Sequence, residues 1–220
     1  MKNLRKASRM AGLAFANGVR LHKDAVLLFK NGSFPSAYFF SILAQEEIGK
    51  AFILEEHIFQ MGGRSEDITP DLEKLILDST LSHKVKQGWF SREADDYWKY
   101  KGKRLSKFIK ETSNGKLEDK KQNSVYVGLT RKGKSVDARG RIINPLDRVK
   151  PDEVKSHITR VNDYIVVLIE GCRRNVYSVD TEELDSYLTI NLAQELEALW
   201  PYSAKATQSR LKQIRKFKIE

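Results

Sequence analysis

Residues 35–63, PSAYFFSILAQEEIGKAFILEEHIFQMGG, decide the fold of this chain. Ser33 stands ahead of the stretch to cap a helix, Pro35 suits a first helical turn, and the glycines after Met61 permit the left-handed turn that ends one. Between these signals Phe40, Leu43, Ala51, Leu54 and Ile58 recur at helical spacing. The helix is built for burial, yet Glu46, Glu47 and Lys50 run through its middle. Glu47 falls within the apolar row, which predicts that it is at least partly buried. Glu46 lies four residues before Lys50 and Glu47 three before it, so one ammonium can reach both carboxylates. On an exposed face such a pair contributes only about 0.2–0.5 kcal/mol. A buried charge needs partners. The trio is therefore either a polar clasp between helices or the lining of a site. A di-metal carboxylate bundle fails on spacing, because it wants Glu-x-x-His and His57 has Leu54 three residues before it.

Upstream, residues 3–30 place Leu4, Ala7, Ala11, Ala14, Val19, Ala25, Leu28 and Phe29 on one helical face, and Asn31-Gly32-Ser33 is a natural stop. The two helices predict an antiparallel hairpin. Downstream, Thr69-Pro70 marks a third start, with a pattern running as far as Lys110. From Thr112 to Pro151 turn signals dominate, and only Ser124–Leu129 reads as extended. Helical periodicity resumes after Pro151 with Val154, Ile158, Val161, Ile165, Leu168 and Ile169. Asp180 and Glu183 form a cap-like pair opening a helix through Leu199, Pro201 interrupts it, and a basic terminal helix carries Leu211, Ile214 and Phe217. These patterns predict an all-α bundle: one domain over 1–220, with an irregular basic insertion at 112–150 and a basic C-terminal helix at 203–220.

The formal net charge is +10, and residues 97–134 carry 12 basic against 3 acidic groups, so nearly all the excess sits in one segment. A concentrated positive field suits RNA or DNA as partner, and a solvated surface is the blander alternative. Within it, DDYWKYKGKRLSKFIK (95–110) alternates aromatics with cations. Lys101, Lys103 and Arg104 are placed to track a phosphate backbone while Tyr97, Trp98, Tyr100 and Phe108 stack bases; amphipathic packing explains Trp98 and Phe108 equally well. Cys172 is the only cysteine, and no Cys/His spacing fits a zinc site, so no metal or cofactor is expected. No window reaches the apolar length of a membrane span, which predicts a cytoplasmic protein without membrane contact.

The segment SHKVKQ (82–87) carries the second constellation. His83, Lys86 and Gln87 share a helical face by their spacing of three and four. A histidine with cationic neighbours has the chemistry of a general acid or base beside a phosphate, although a lone helical histidine is more often structural. His22, His57 and His157 have no such company and read as structural.

Taken together, HKDAVLLFKNGSFPSAYFFSILAQEEIGKAFIL (22–54), SHKVKQ (82–87) and KKQNSVYVGL (120–129) resemble the AbiV family of bacterial abortive-infection proteins, within the HEPN class, over roughly residues 5–170. The most specific pieces are Glu46, Glu47, Gly49 and Lys50, then His83, Lys84 and Lys86; Gln122, Tyr126 and Val127 add a shorter one. The resemblance implies a HEPN-like helical bundle that pairs as a homodimer. It also implies a role in phage defence that arrests growth or translation, with RNA or the ribosome as target and a phage-encoded protein as trigger. HEPN proteins are commonly ribonucleases whose site forms at the dimer interface. On that basis His83 is the expected acid/base, Lys84 and Lys86 the phosphate ligands, and Glu47 with Lys50 the orienting shell. Glu46, Gln122, Tyr126, Lys101, Lys103 and Arg104 are the expected substrate contacts. One departure stands out: catalytic HEPN domains usually carry Arg, four to six residues, then His on a late helix, whereas eight residues separate Arg148 from His157 here. A non-catalytic module that blocks translation, or a sensor of a phage product, is the competing expectation.

Overall fold

Pro151 opens the helix at the centre of the described bundle. A computed structural model describes residues 2–62, 74, 78–98, 109–129, 131–132, 135–179 and 181–219. In it α1 (Lys2–Lys30) and α2 (Phe34–Gly62) form the expected hairpin, and α3 (His83–Trp98) and α4 (Lys116–Asn123) follow. The two-residue strands β1 (Gly128–Leu129), β2 (Arg131–Lys132), β3 (Ser135–Val136) and β4 (Ile142–Ile143) pair antiparallel, β1 with β4 and β2 with β3. Then come α5 (Pro145–Arg148), α6 (Pro151–Cys172), α7 (Glu182–Asp185), α8 (Ile190–Leu199) and α9 (Lys205–Ile214). The protein is an all-α bundle, and none of the described helices is long and apolar enough to cross a membrane.

Helix α6 is the hub because its second half has no exposed face: Tyr164, Ile165, Val167, Leu168 and Ile169 are fully buried, and the polar Asn162, Asp163 and Glu170 are enclosed with them. A helix that is apolar over most of its circumference is covered by its neighbours. Here those neighbours are α1, α2, α3, α8 and α9. Glycines set the closest approaches of α2. At Gly18 of α1 an added Cβ would stand 2.7 Å from Ile48 Cγ1. At Gly49 an added Cβ would collide with the Lys86 carbonyl oxygen of α3, so the glycine of the EEIGK run is what lets α3 lie against α2.

Three expectations are corrected. The third helix is broken at Ser82, and α3 starts at His83, with Val85 N–H donating to Ser82 Oγ at 3.4 Å. His83 therefore sits in a first helical turn rather than mid-helix. The 112–150 stretch contains α4, whose Leu117 (1% exposed) is buried in the core. The single helix expected from Asp180 to Leu199 is two, because Thr181 and Thr189 each cap a separate start, accepting from Leu184 N–H and Leu192 N–H. Glu183 does not cap; it accepts from Ser8 of α1.

The last helix has no cap of its own. Asp163 of α6 supplies one, accepting from Ala204 N–H at 3.0 Å and from the Thr207 hydroxyl at 2.8 Å.

Candidate functional site

Neighbouring residues on an α-helix point about 100° apart, and at Glu46 and Glu47 that angle separates two environments. Glu46 is 2% exposed and faces α3 and α4. Its Oε2 lies 2.8 Å from His83 Nδ1, and its Oε1 accepts from Gln87 Nε2 at 2.7 Å and from Lys121 Nζ at 2.9 Å. Lys121, itself buried, also forms an ion pair with Glu118 Oε2 at 2.7 Å. Glu118 would be raised by burial, but hydrogen bonds from Lys121 and Gln122, with the nearby positive charge, outweigh that and hold its carboxyl below the ordinary value.

Glu47 faces α1. It accepts from Asn17 Nδ2 at 3.1 Å, and Lys50 approaches it at 3.5 Å. The expectation that one ammonium would serve both carboxylates is therefore corrected: Lys50 pairs with Glu47, and Lys121, 75 residues along the chain, serves Glu46. Glu47 is partly buried, as expected, and Glu46 takes the more enclosed position because its rotation about α2 aims it between α3 and α4.

The chemistry of the first cluster follows from its donors and acceptors. A carboxylate that receives an ammonium and an amide N–H is an acceptor, so the proton on the Glu46–His83 bond belongs to Nδ1. His83 Nε2 is then the nitrogen left for another molecule, on a side chain 51% exposed. Gln87 fixes the second oxygen of Glu46, and the imidazole is held in one tautomer and one orientation.

The other expected residues are placed as follows. Lys84 is exposed and lays its side chain across Gly115, where an added Cβ would stand 2.9 Å from its Cε. Lys86 is buried to 8% exposure. Gln122 is exposed and donates to Glu118 at 2.8 Å. Tyr126 is exposed, as are Val125 and Val127 beside it. Lys101, Lys103 and Arg104 lie outside the described residues. The sequence reading missed Lys121 and Glu118. Their signal was the three-residue spacing of opposite charges in KLEDKK, hidden in a stretch read as turns. Among the described residues Glu46, His83 and Glu118 also bring one potential metal-ligand atom each to within 4.8 Å of the others.

The HEPN family model for AbiV matches residues 6–165. The chain belongs to the AbiV family. The match spans α1 through most of α6 and so contains Glu46, His83, Glu118 and Lys121, while α7, α8 and α9 of this AbiV protein lie beyond it. No curated protein and no solved structure matches the chain. Membership indicates an abortive-infection, anti-phage defence role for this AbiV protein.

Proposed function

We propose that this AbiV protein arrests growth or translation in infected cells by cleaving RNA without a metal ion, with His83 as the acid/base. The observation that carries the reading is the Glu46–His83 bond: a buried carboxylate holds Nδ1 while an exposed ring offers Nε2. In the proposed reaction Nε2 takes the proton of an RNA 2′ hydroxyl, and the 2′ oxygen attacks phosphorus. The resulting imidazolium then gives its proton to the departing 5′ oxygen, leaving a 2′,3′-cyclic phosphate and a 5′ hydroxyl. Charge gathering on the phosphorane is met by Lys84, the exposed cation next to His83, whereas Lys86, at 8% exposure, is too enclosed to reach a phosphate. Lys101, Lys103 and Arg104 track the backbone, and Tyr126 with Gln122 contacts a nucleotide. A homodimer completes the site. Exposed Leu81 and Val85 beside His83, and exposed Val125, Tyr126 and Val127 following α4, are the apolar surface that such pairing covers. A phage-encoded protein triggers the response.

Purified protein is expected to cut RNA and leave cyclic-phosphate ends, and His83→Ala to abolish this with the fold intact. Retained cleavage in His83→Ala removes this site from consideration. A second reading, a non-catalytic block of translation through the basic 97–134 segment, is favoured by one observation: His157, the late-helix histidine, is 3% exposed and sealed from substrate. Under that reading His83→Ala leaves arrest untouched, and neutralising Lys101, Lys103 and Arg104 abolishes it.

A further inference from the structure

We infer that Lys121 is the resident cation of a cage formed by Glu46, Glu118 and His83, holding the two carboxylates around the imidazole and keeping divalent metal ions out. Two carboxylates and an imidazole with ligand atoms within 4.8 Å of one another are a donor set that zinc or manganese accepts. In this protein an ammonium already lies between the carboxylates, 2.9 Å from Glu46 and 2.7 Å from Glu118. It is 4% exposed and held by its own helix, since Leu117 one turn earlier on the same side of α4 is 1% exposed. The ammonium leaves its place only if α4 undocks. A divalent ion arriving at the same oxygens meets like charge at contact distance, in a setting where water screens it poorly. Lys121 thus stands where a metal would, with one positive charge in place of two.

Two consequences separate. The exclusion of metal rests on geometry alone. The second role, Lys121 as a positioning residue that acts on His83 through Glu46, rests on the acid/base reading proposed above.

The test is a cobalt(II) titration of tag-free full-length protein, read by visible absorption. Wild type is expected to show no coordination band. Lys121→Met is expected to bind one cobalt per chain with a visible band and a rise in melting temperature, both lost in Lys121→Met/His83→Ala. Lys121→Gln, which keeps a hydrogen-bond donor and removes the charge, gives the same outcome should the methionine variant fold poorly. A cobalt band in wild type that disappears in His83→Ala overturns the inference, as does a Lys121→Gln protein that binds no more cobalt than wild type. For the positioning role, Lys121→Gln is expected to lower kcat of RNA cleavage by about tenfold or more while KM stays near the wild-type value, and an unchanged kcat contradicts it. If His83→Ala retains cleavage, the acid/base reading falls while the cobalt result still judges the cage.

Discussion

His22 and His83 are both hydrogen-bonded to a side-chain oxygen of another helix, and the bundle treats them in opposite ways. His22 Nε2 meets Asn162 Oδ1 at 2.9 Å in a fully enclosed position. Burial pushes its imidazole down to about 4, against a partial restoring effect of the Asn162 bond, with Lys23 adding to the depression. His157, also enclosed, is held well below the ordinary histidine value by burial first and then by Arg160 and Lys120. Both stay neutral near pH 7. His83 has a charged partner on one nitrogen and open surface around the ring. A buried histidine with a neutral partner is a piece of packing. A histidine anchored by a buried carboxylate at the surface is equipped to move protons.

The sharpest way to break this contrast is to remove each imidazole in turn. His83→Ala is expected to lower RNA cleavage by about 10²–10⁴-fold while its denaturant midpoint stays close to wild type. His22→Ala is expected to do the reverse, destabilising by about 2–4 kcal/mol while the folded fraction cleaves normally. Equal effects of the two substitutions on either readout would erase the distinction.

Acid sharpens it next. Between about pH 6.5 and 4 the unfolded chain binds a proton at position 22 that the folded chain refuses, so stability falls as pH drops through that window. The loss from His22 reaches about 3 kcal/mol at its lower edge, and His157 adds to it with the same sign. Asp163 opposes both. Burial raises its carboxyl to about 6, despite the hydrogen bonds from Ala204 and Thr207 that pull it back, so the folded chain keeps a proton the unfolded one loses and gains stability below that pH. Urea melts at pH 7 and 5 are expected to show a smaller acid loss in His22→Gln than in wild type, and a larger one in Asp163→Asn. An acid loss unchanged by His22→Gln would contradict the assignment.

Gly49→Ala probes the packing that brings the two halves of the site together. Its methyl meets the Lys86 carbonyl oxygen, a backbone atom that cannot swing aside. Overpacking of this kind costs about 1–3 kcal/mol, and the shift of α3 is expected to reduce cleavage as well, measured on protein confirmed folded by circular dichroism. The smallest effect is expected at Lys50→Ala. Its 3.5 Å pair with Glu47 is partly exposed, so the stability loss is at most about 1 kcal/mol, and cleavage stays within about twofold of wild type. A large loss of cleavage would return Lys50 to the reacting centre.

How the residues announced themselves follows the same division. The helical hairpin and α6 were legible because their apolar stripes repeat at fixed spacing and Gly32 and Pro151 mark a stop and a start. The pairing of Glu46 was not legible, because local spacing offers Lys50 as partner and the actual one comes from α4. Helix α4 escaped notice because it is short and polar, with Leu117 and Lys121 its buried residues. The packing role of Gly49 shows only once the Lys86 backbone is seen against it. Charged residues at the right spacing mark the segment that carries the candidate cluster, but only packing shows which oxygen faces which donor.

The proposed chemistry requires Glu46 and His83 to act as one unit, and a kinetic double-mutant cycle measures that directly. Single-turnover RNA cleavage is compared in wild type, Glu46→Gln, His83→Ala and the double variant. Glu46→Gln is expected to slow the wild-type reaction by about 10–100-fold and to leave the residual rate of His83→Ala unchanged. A Glu46→Gln penalty of equal size in both backgrounds would mean that the carboxylate does not act through the imidazole, and would contradict the account.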